Sequence, residues 1–119
     1  FSLTAACLPD ACLTPFQLEP GAAAVVRPSA ESWRTLTGAS PGQGVGFLLL
    51  ADPFSFEAET CIRGLDAVYP EAPKAGGLAS GGRQPGGNVL YVDGRALREG
   101  AVGLALTGDV ELGTVVAQG

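Results

Sequence analysis

The 119-residue chain contains no histidine. That absence removes Ser-His-Asp and Cys-His nucleophile systems, in which an imidazole must take the proton. Positive charge is also scarce: seven Lys and Arg, none in a cluster, stand against twelve acids for a net charge of −5. Phosphate backbones and anionic lipid surfaces need concentrated positive charge, so nucleic acid is not an expected partner. No apolar run is long. The longest uncharged one, from Val45 to Ala51, falls far below the roughly 20 residues of a membrane span, and no signal peptide is visible. The motifs GxSxG and GxxxxGK[ST] do not occur, and Gly42-Gln43-Gly44 fails as GxGxxG because Phe47 stands at the last glycine position. No catalysis and no cofactor are expected.

Three cysteines are present, Cys7, Cys12 and Cys61. The count is odd, CxxC spacing is missing, and without histidine a zinc site would need all three thiolates plus a carboxylate. They read as small buried hydrophobes in a reducing compartment. The hydrophobic fraction of 46% overstates the core, because it counts many alanines, and Gly contributes a further 18 residues with no side chain to bury. Large side chains gain roughly 1.5–3 kcal/mol each on full burial, against about 1–2 for ordering each residue's backbone. The margin is thin. With the apolar Val115-Val116-Ala117 directly before Gln118 and Gly119, it leads to the expectation of an incomplete domain.

Periodicity supplies the elements. Phe1, Leu3, Ala5 and Cys7 alternate as in a half-buried strand, and Cys12, Thr14, Phe16 and Leu18 as in a second, closed by the turn Pro20-Gly21. Ser29 is placed to cap a helix through Thr37, with Gly38 as its stop. Val45 to Ala51 reads as a strand covered on both faces. Ser55 then caps a helix from Phe56 to Tyr69 that carries one apolar stripe, Ala58, Cys61, Ile62, Leu65, Val68 and Tyr69. Pro70 ends it, and at Gly64, which weakens the helix, close packing is expected. An extended piece from Pro73 to Leu78 completes a βαβ unit. Asn88 to Val92 leads into Asp93-Gly94, a type I′ turn signal, and Gly108-Asp109 joins Ala101–Thr107 to Val110–Gln118 as a hairpin. The fold class is α/β shading to α+β: a mixed sheet of three or four strands beside one long helix.

Two places carry chemistry. Asp52 stands with Pro53 at the carboxyl end of the buried strand, where open α/β sheets gather ligand contacts; capping the following turn is its other reading. The loop Gly76-Gly77-Leu78-Ala79-Ser80-Gly81-Gly82 offers unhindered N–H groups for an anion, with the Ser80 hydroxyl; a plain tight connection is its other reading. Phe54 and Leu78 supply an apolar wall. A carboxylate on the loop and an ammonium on Asp52 make an amino acid the natural ligand. Glu57 and Glu59, two apart, complement the helix dipole rather than act as a pair.

The strings Phe47-Leu-Leu-Leu-Ala-Asp-Pro-Phe-Ser55, Gly64-Leu-Asp-Ala-Val-Tyr-Pro70, Gly76-Gly-Leu-Ala-Ser-Gly-Gly82 and Val116-Ala-Gln-Gly119, in that order, resemble the N-terminal part of a FIST domain, named for F-box and intracellular signal-transduction proteins. The resemblance is loose over residues 1–40 and dense over 45–119, and is nearest to cyanobacterial and plastid variants. It implies a partial domain over 1–119 that binds small ligands and signals to attached modules. The glycines at 76, 77, 81 and 82 and Ser80 match the family's glycine signature; the family carries over no catalytic residues, and no F-box occurs here. Two functions follow: a small-ligand sensor, or an interaction subunit of a larger, plastid or thylakoid, assembly of protein chains. The location implied is intracellular, chloroplast for a phototrophic eukaryote and cytoplasm otherwise.

Overall fold

The computed structural model describes residues 1–117. A four-stranded mixed sheet has the order β1-β6-β2-β3, with β1 Ala11–Leu18, β2 Gly46–Ala51, β3 Lys74–Leu78 and β6 Ala101–Gly108. Strand β6 runs antiparallel to both β1 and β2, whereas β2 and β3 are parallel and joined through α3, Ala58–Val68. This is the expected mixed α/β sheet with its βαβ unit. A second, two-stranded sheet pairs β4, Leu90–Val92, with β5, Arg95–Leu97. Its turn holds Asp93 at φ 48° and Gly94 at φ 76°, the positive pair that a type I′ turn demands.

The helices α1, Ala23–Val26, α2, Ala30–Thr37, and α3 share one core with a single face of the sheet, built from Phe16, Leu18, Phe47, Leu49, Ala51, Ala101 and Ala105. An aromatic chain runs through it: Phe16 meets Trp33 at 6.0 Å, Trp33 meets Phe47 at 6.5 Å, and Phe47 meets Tyr69 at 5.0 Å between ring centroids. The Tyr69 hydroxyl donates to the Ala39 carbonyl at 2.7 Å, tying the end of α3 to the linker before β2. Helix α2 starts as expected, with Ser29 and Ser32 capping each other reciprocally, and stops at Gly38 in the left-handed region. At Gly64 the ring of Pro28 lies so close that an added Cβ would sit 3.1 Å from it, which is the close packing expected there.

Several expectations give way. Residues 1–8 form no strand; Phe1 and Leu3 stand in solvent. The short helix α1 was not foreseen. Strand β2 is fully covered on one face and only partly on the other: Leu48 and Leu50, which point away from the helices, are 37% and 52% exposed. Hairpin β4-β5 covers one end of that far face, packing Leu90 and Val92 on Val102, and Leu112 covers the other beside Gly46. The hairpin expected after Gly108 does not form over Val110 to Ala117, and its last residue, Gln118, lies outside the described residues. The reason is positional. With β1 on one side and β2 on the other, both edges of β6 are filled, so no hydrogen-bonding edge is left for a returning strand. The cysteines also divide: Cys61 is buried, while Cys7 and Cys12 are exposed. Burial pushes the Cys61 thiol up to about 11, and no group of three His, Cys, Asp or Glu converges among the described residues.

Leu65, at the centre of the α3 stripe, is fully enclosed. Leu65→Ala will leave a cavity and cost about 2–5 kcal/mol, read as a lowered urea midpoint at unchanged slope.

Candidate functional site

Asp52 follows directly on β2 and is almost completely buried, which demands that its charge be satisfied. Its Oδ1 accepts from Asn88 Nδ2 at 2.8 Å and its Oδ2 from the Ser55 hydroxyl at 2.5 Å. The network extends outward from there. Ser55 Oγ accepts from the Gly100 amide at 2.9 Å, the Asp52 amide donates to the Gly100 carbonyl at 2.9 Å, and Asn88 Oδ1 accepts from the Gly82 amide at 2.6 Å. One carboxylate therefore joins the end of β2, the turn before α3, the glycine loop, the start of β4 and the entry to β6. The hydrogen bonds from Asn88 and Ser55, with the backbone amides of Ser55 and Phe54, hold the Asp52 carboxyl below the usual carboxylate range against the opposing pull of burial.

This corrects two expectations. Ser55 does not cap α3; the helix begins at Ala58 behind Glu57, which gives no side-chain cap, and the Ser55 hydroxyl is held by Asp52 and Gly100 instead. The stretch from Gly76 to Gly82 is not one loop. Gly76, Gly77 and Leu78 belong to β3, and a side chain at position 76 would collide with the Leu49 carbonyl. Gly82 is a site of close approach as well: an added Cβ would lie 2.7 Å from the Gly87 backbone. The Ala79 amide is given to Ala51 and that of Gly82 to Asn88, while the amides of Ser80 and Gly81, both exposed, have no protein acceptor among the described residues.

A cleft of about 550 Å³ lies alongside, between α3 and the helix-side surface of β2 and β3. Its apolar surface is presented by Leu49 and Ile62, with Phe47, Ala51 and Leu65 packed behind them, and Gly76, Gly77 and Leu78 form its outer edge. Its rim is ionic. Arg63 pairs with Glu59 one helical turn away, both well exposed, and Lys74 reaches Asp66 at 2.7 Å and the Tyr69 carbonyl at 2.6 Å. The residues singled out from the sequence thus separate: Gly76, Gly77 and Leu78 line the cleft, Asp52 and Gly82 form the buried network, and Phe54, Ser80 and Gly81 line neither. Asn88, Gly100, Glu59, Ile62, Arg63 and Lys74 went unnoticed as site residues. The one available signal was that Asn88 is the chain's single asparagine, at the head of an apolar strand after two glycines.

The family model for the FIST N domain matches residues 1–119. The chain belongs to the FIST family. Among its relatives is an uncharacterized protein of Mycobacterium tuberculosis, strain H37Rv, 40% identical over 72 residues, which are 60% of this chain and 18% of that protein. Another, an uncharacterized protein of Mycobacterium bovis, is 38% identical over 61 residues, 51% of this chain and 16% of the relative. The FIST chain described here therefore spans under a fifth of the length of these relatives. They are mycobacterial and lend no support to a cyanobacterial or plastid variant or to a chloroplast location. No solved structure matches. FIST is a family of signal-transduction sensory domains. No helix among the described residues is long and apolar enough to cross a membrane.

The depressed pKa of Asp52 sets a pH signature. Because its pKa is lower folded than unfolded, the stabilisation is complete above the unfolded value of about 3.9 and is lost as pH falls through the folded one. Urea midpoints of wild type and Asp52→Asn will differ by a constant amount from neutral pH down to about 5 and draw together below about 4.

Proposed function

We propose that this FIST domain senses a small amphiphilic carboxylate, with an apolar amino acid as the fitting form, in the cleft between α3 and β3. The observation that carries this reading is the composition of the cleft, an apolar floor beneath a rim that holds both signs of charge. Its volume of about 550 Å³ falls within the usual span of small-molecule sites. The Glu59–Arg63 pair is exposed, and such pairs contribute only about 0–1 kcal/mol. A zwitterion separates them at little cost, its carboxylate taking Arg63 and its ammonium Glu59, while its side chain covers Leu49 and Ile62.

This moves the polar contacts away from Asp52. The Asp52 oxygens already accept from Asn88, Ser55 and the local backbone, so the carboxylate serves as the anchor of the cleft's upper end. Ser80 and Gly81 keep a secondary role for an anionic group reaching past Leu78. Charge-assisted hydrogen bonds contribute roughly 1.5–3 kcal/mol each, and association costs an estimated 4–15 kcal/mol. Two such bonds do not bind a ligand without the apolar floor, which favours leucine-like over serine-like side chains.

Calorimetric titration with a panel of amino acids checks this. Apolar members will bind more tightly than polar ones, and Arg63→Gln and Glu59→Gln will each weaken binding by about tenfold, the equivalent of 1.4 kcal/mol. Equal binding by wild type and both variants would place the ligand elsewhere. Binding lost in Asp52→Asn but kept in Arg63→Gln would return the site to the glycine loop.

A further inference from the structure

Two exposed thiols flank the turn that leads into β1. Cys12 is the second residue of that strand and Cys7 precedes the turn, and both are exposed. Between them Leu8-Pro9-Asp10-Ala11 closes on itself, the Ala11 amide donating to the Leu8 carbonyl at 3.1 Å. Strand β6 shows on which side this happens. The Asp109 amide donates to the Asp10 carbonyl at 3.0 Å, so the even-numbered residues of β1 turn their backbone groups toward β6. By the alternation of a strand, the odd-numbered ones turn theirs outward. The turn therefore folds the chain back along the outward side of β1 and sets a register in which Leu8 stands opposite Ala11 and Cys7 opposite Cys12. In that register Leu8–Ala11 is a hydrogen-bonded position and Cys7–Cys12 a non-hydrogen-bonded one, where Cα atoms stand about 4.5 Å apart and the side chains share a face. Disulfides span about 4.4–6.8 Å between Cα atoms.

We propose that Cys7 and Cys12 are a reversible dithiol–disulfide pair, closed by exchange with a low-molecular-weight disulfide. One protein thiolate attacks a sulfur of the small disulfide and releases one small thiol, leaving a mixed disulfide. The second protein thiolate attacks the protein-bound sulfur of that bond, the Cys7–Cys12 bond forms and the second small thiol leaves. The two protein thiols give up two electrons and two protons, and the small disulfide is reduced to two thiols. Cys61 takes no part: it is fully enclosed on α3, and burial pushes its thiol up to about 11, so it offers neither access nor thiolate. The odd count of cysteines then resolves into one pair and one core residue. The backbone shows why a covalent bond is needed to hold the segment. Neither Pro9 nor Asp10 has a positive φ, so the turn is not one of the primed types whose twist matches a hairpin. Pro15, opposite Thr4 in the same register, has no amide to give. Residues 1–8 accordingly form no strand, and Phe1 and Leu3 stay in solvent. The ring spans only residues 7–12, and short rings contribute least to stability, so the pair follows the redox state of its surroundings rather than holding the fold. It sits on β1, across the sheet from β3 and the cleft, and does not rest on the ligand reading.

Equilibration of the full chain with glutathione and its disulfide tests this, followed by acid quench, alkylation in denaturant and tryptic mapping. Pro28 protects Arg27 from trypsin, so residues 1–34 form one peptide that holds Cys7 and Cys12 without Cys61. The expected product is that peptide short of two hydrogens and not alkylated, restored by reduction, while Cys61 is alkylated throughout. Cys7→Ser and Cys12→Ser will each stop at the glutathione adduct. Closeness in sequence alone closes some of this ring, so the same equilibrium is measured in denaturing urea. The folded chain will favour the disulfide by about tenfold, equivalent to about 30 mV for a two-electron couple. An equal equilibrium in urea overturns the proposal, since the turn then contributes nothing. So does a wild type that collects glutathione adducts or disulfide-linked chains in place of the internal bond.

Discussion

Strand β6 hydrogen-bonds to β1 along one edge and to β2 along the other, so the last strand in sequence holds the centre of the sheet and fixes what surrounds it. Through this insertion Phe16 and Leu18 come level with Leu49 and Ala51, completing the face on which all three helices rest. It also ends β6's capacity to pair further and leaves β1 and β3 as the outer strands of the sheet among the described residues. The Asp52 network depends on the same placement, because Gly100, just before β6, exchanges bonds with both Asp52 and Ser55.

Local order was well marked in the sequence. Ser29 and Gly38 bracket α2, the stripe through Cys61 and Leu65 places α3, and Asp93-Gly94 places a turn, each because the determinants lie within a few residues of one another. Strand order was not legible in the same way. The run from Val45 to Ala51 is apolar at every position, which suits a strand covered on both faces, yet Leu48 and Leu50 remain uncovered on the side away from the helices. Alternation near residues 1–7 likewise describes a chain able to form a strand, and nothing in it reveals whether a neighbour is present.

The site divides along the same line. Asp52 was recognisable from its place at the end of a buried strand, and its depressed pKa follows from donors 3 and 36 residues away. Only the nearer one, Ser55, stood in view, and it read more naturally as a helix cap. Gly76 and Gly77 read both as part of the extended piece from Pro73 to Leu78 and as part of the glycine loop, because glycine is rare inside strands; the structure keeps them in the strand. Their reason is contact: at position 76 the neighbouring backbone leaves no room for a side chain.

The central position of β6 also orders events in time. Translation delivers β1, β2 and β3 well before the strand that joins the first to the other two. Until residues 101–108 emerge, β1 has no sheet to enter, and β2 keeps its other edge open along a run of apolar side chains. Pairings of such long sequence separation are slow to close, and domains are made at about 5–20 residues per second. The nascent chain therefore spends seconds as an unfinished sheet with a sticky border, in the interval when a holding chaperone has most to do.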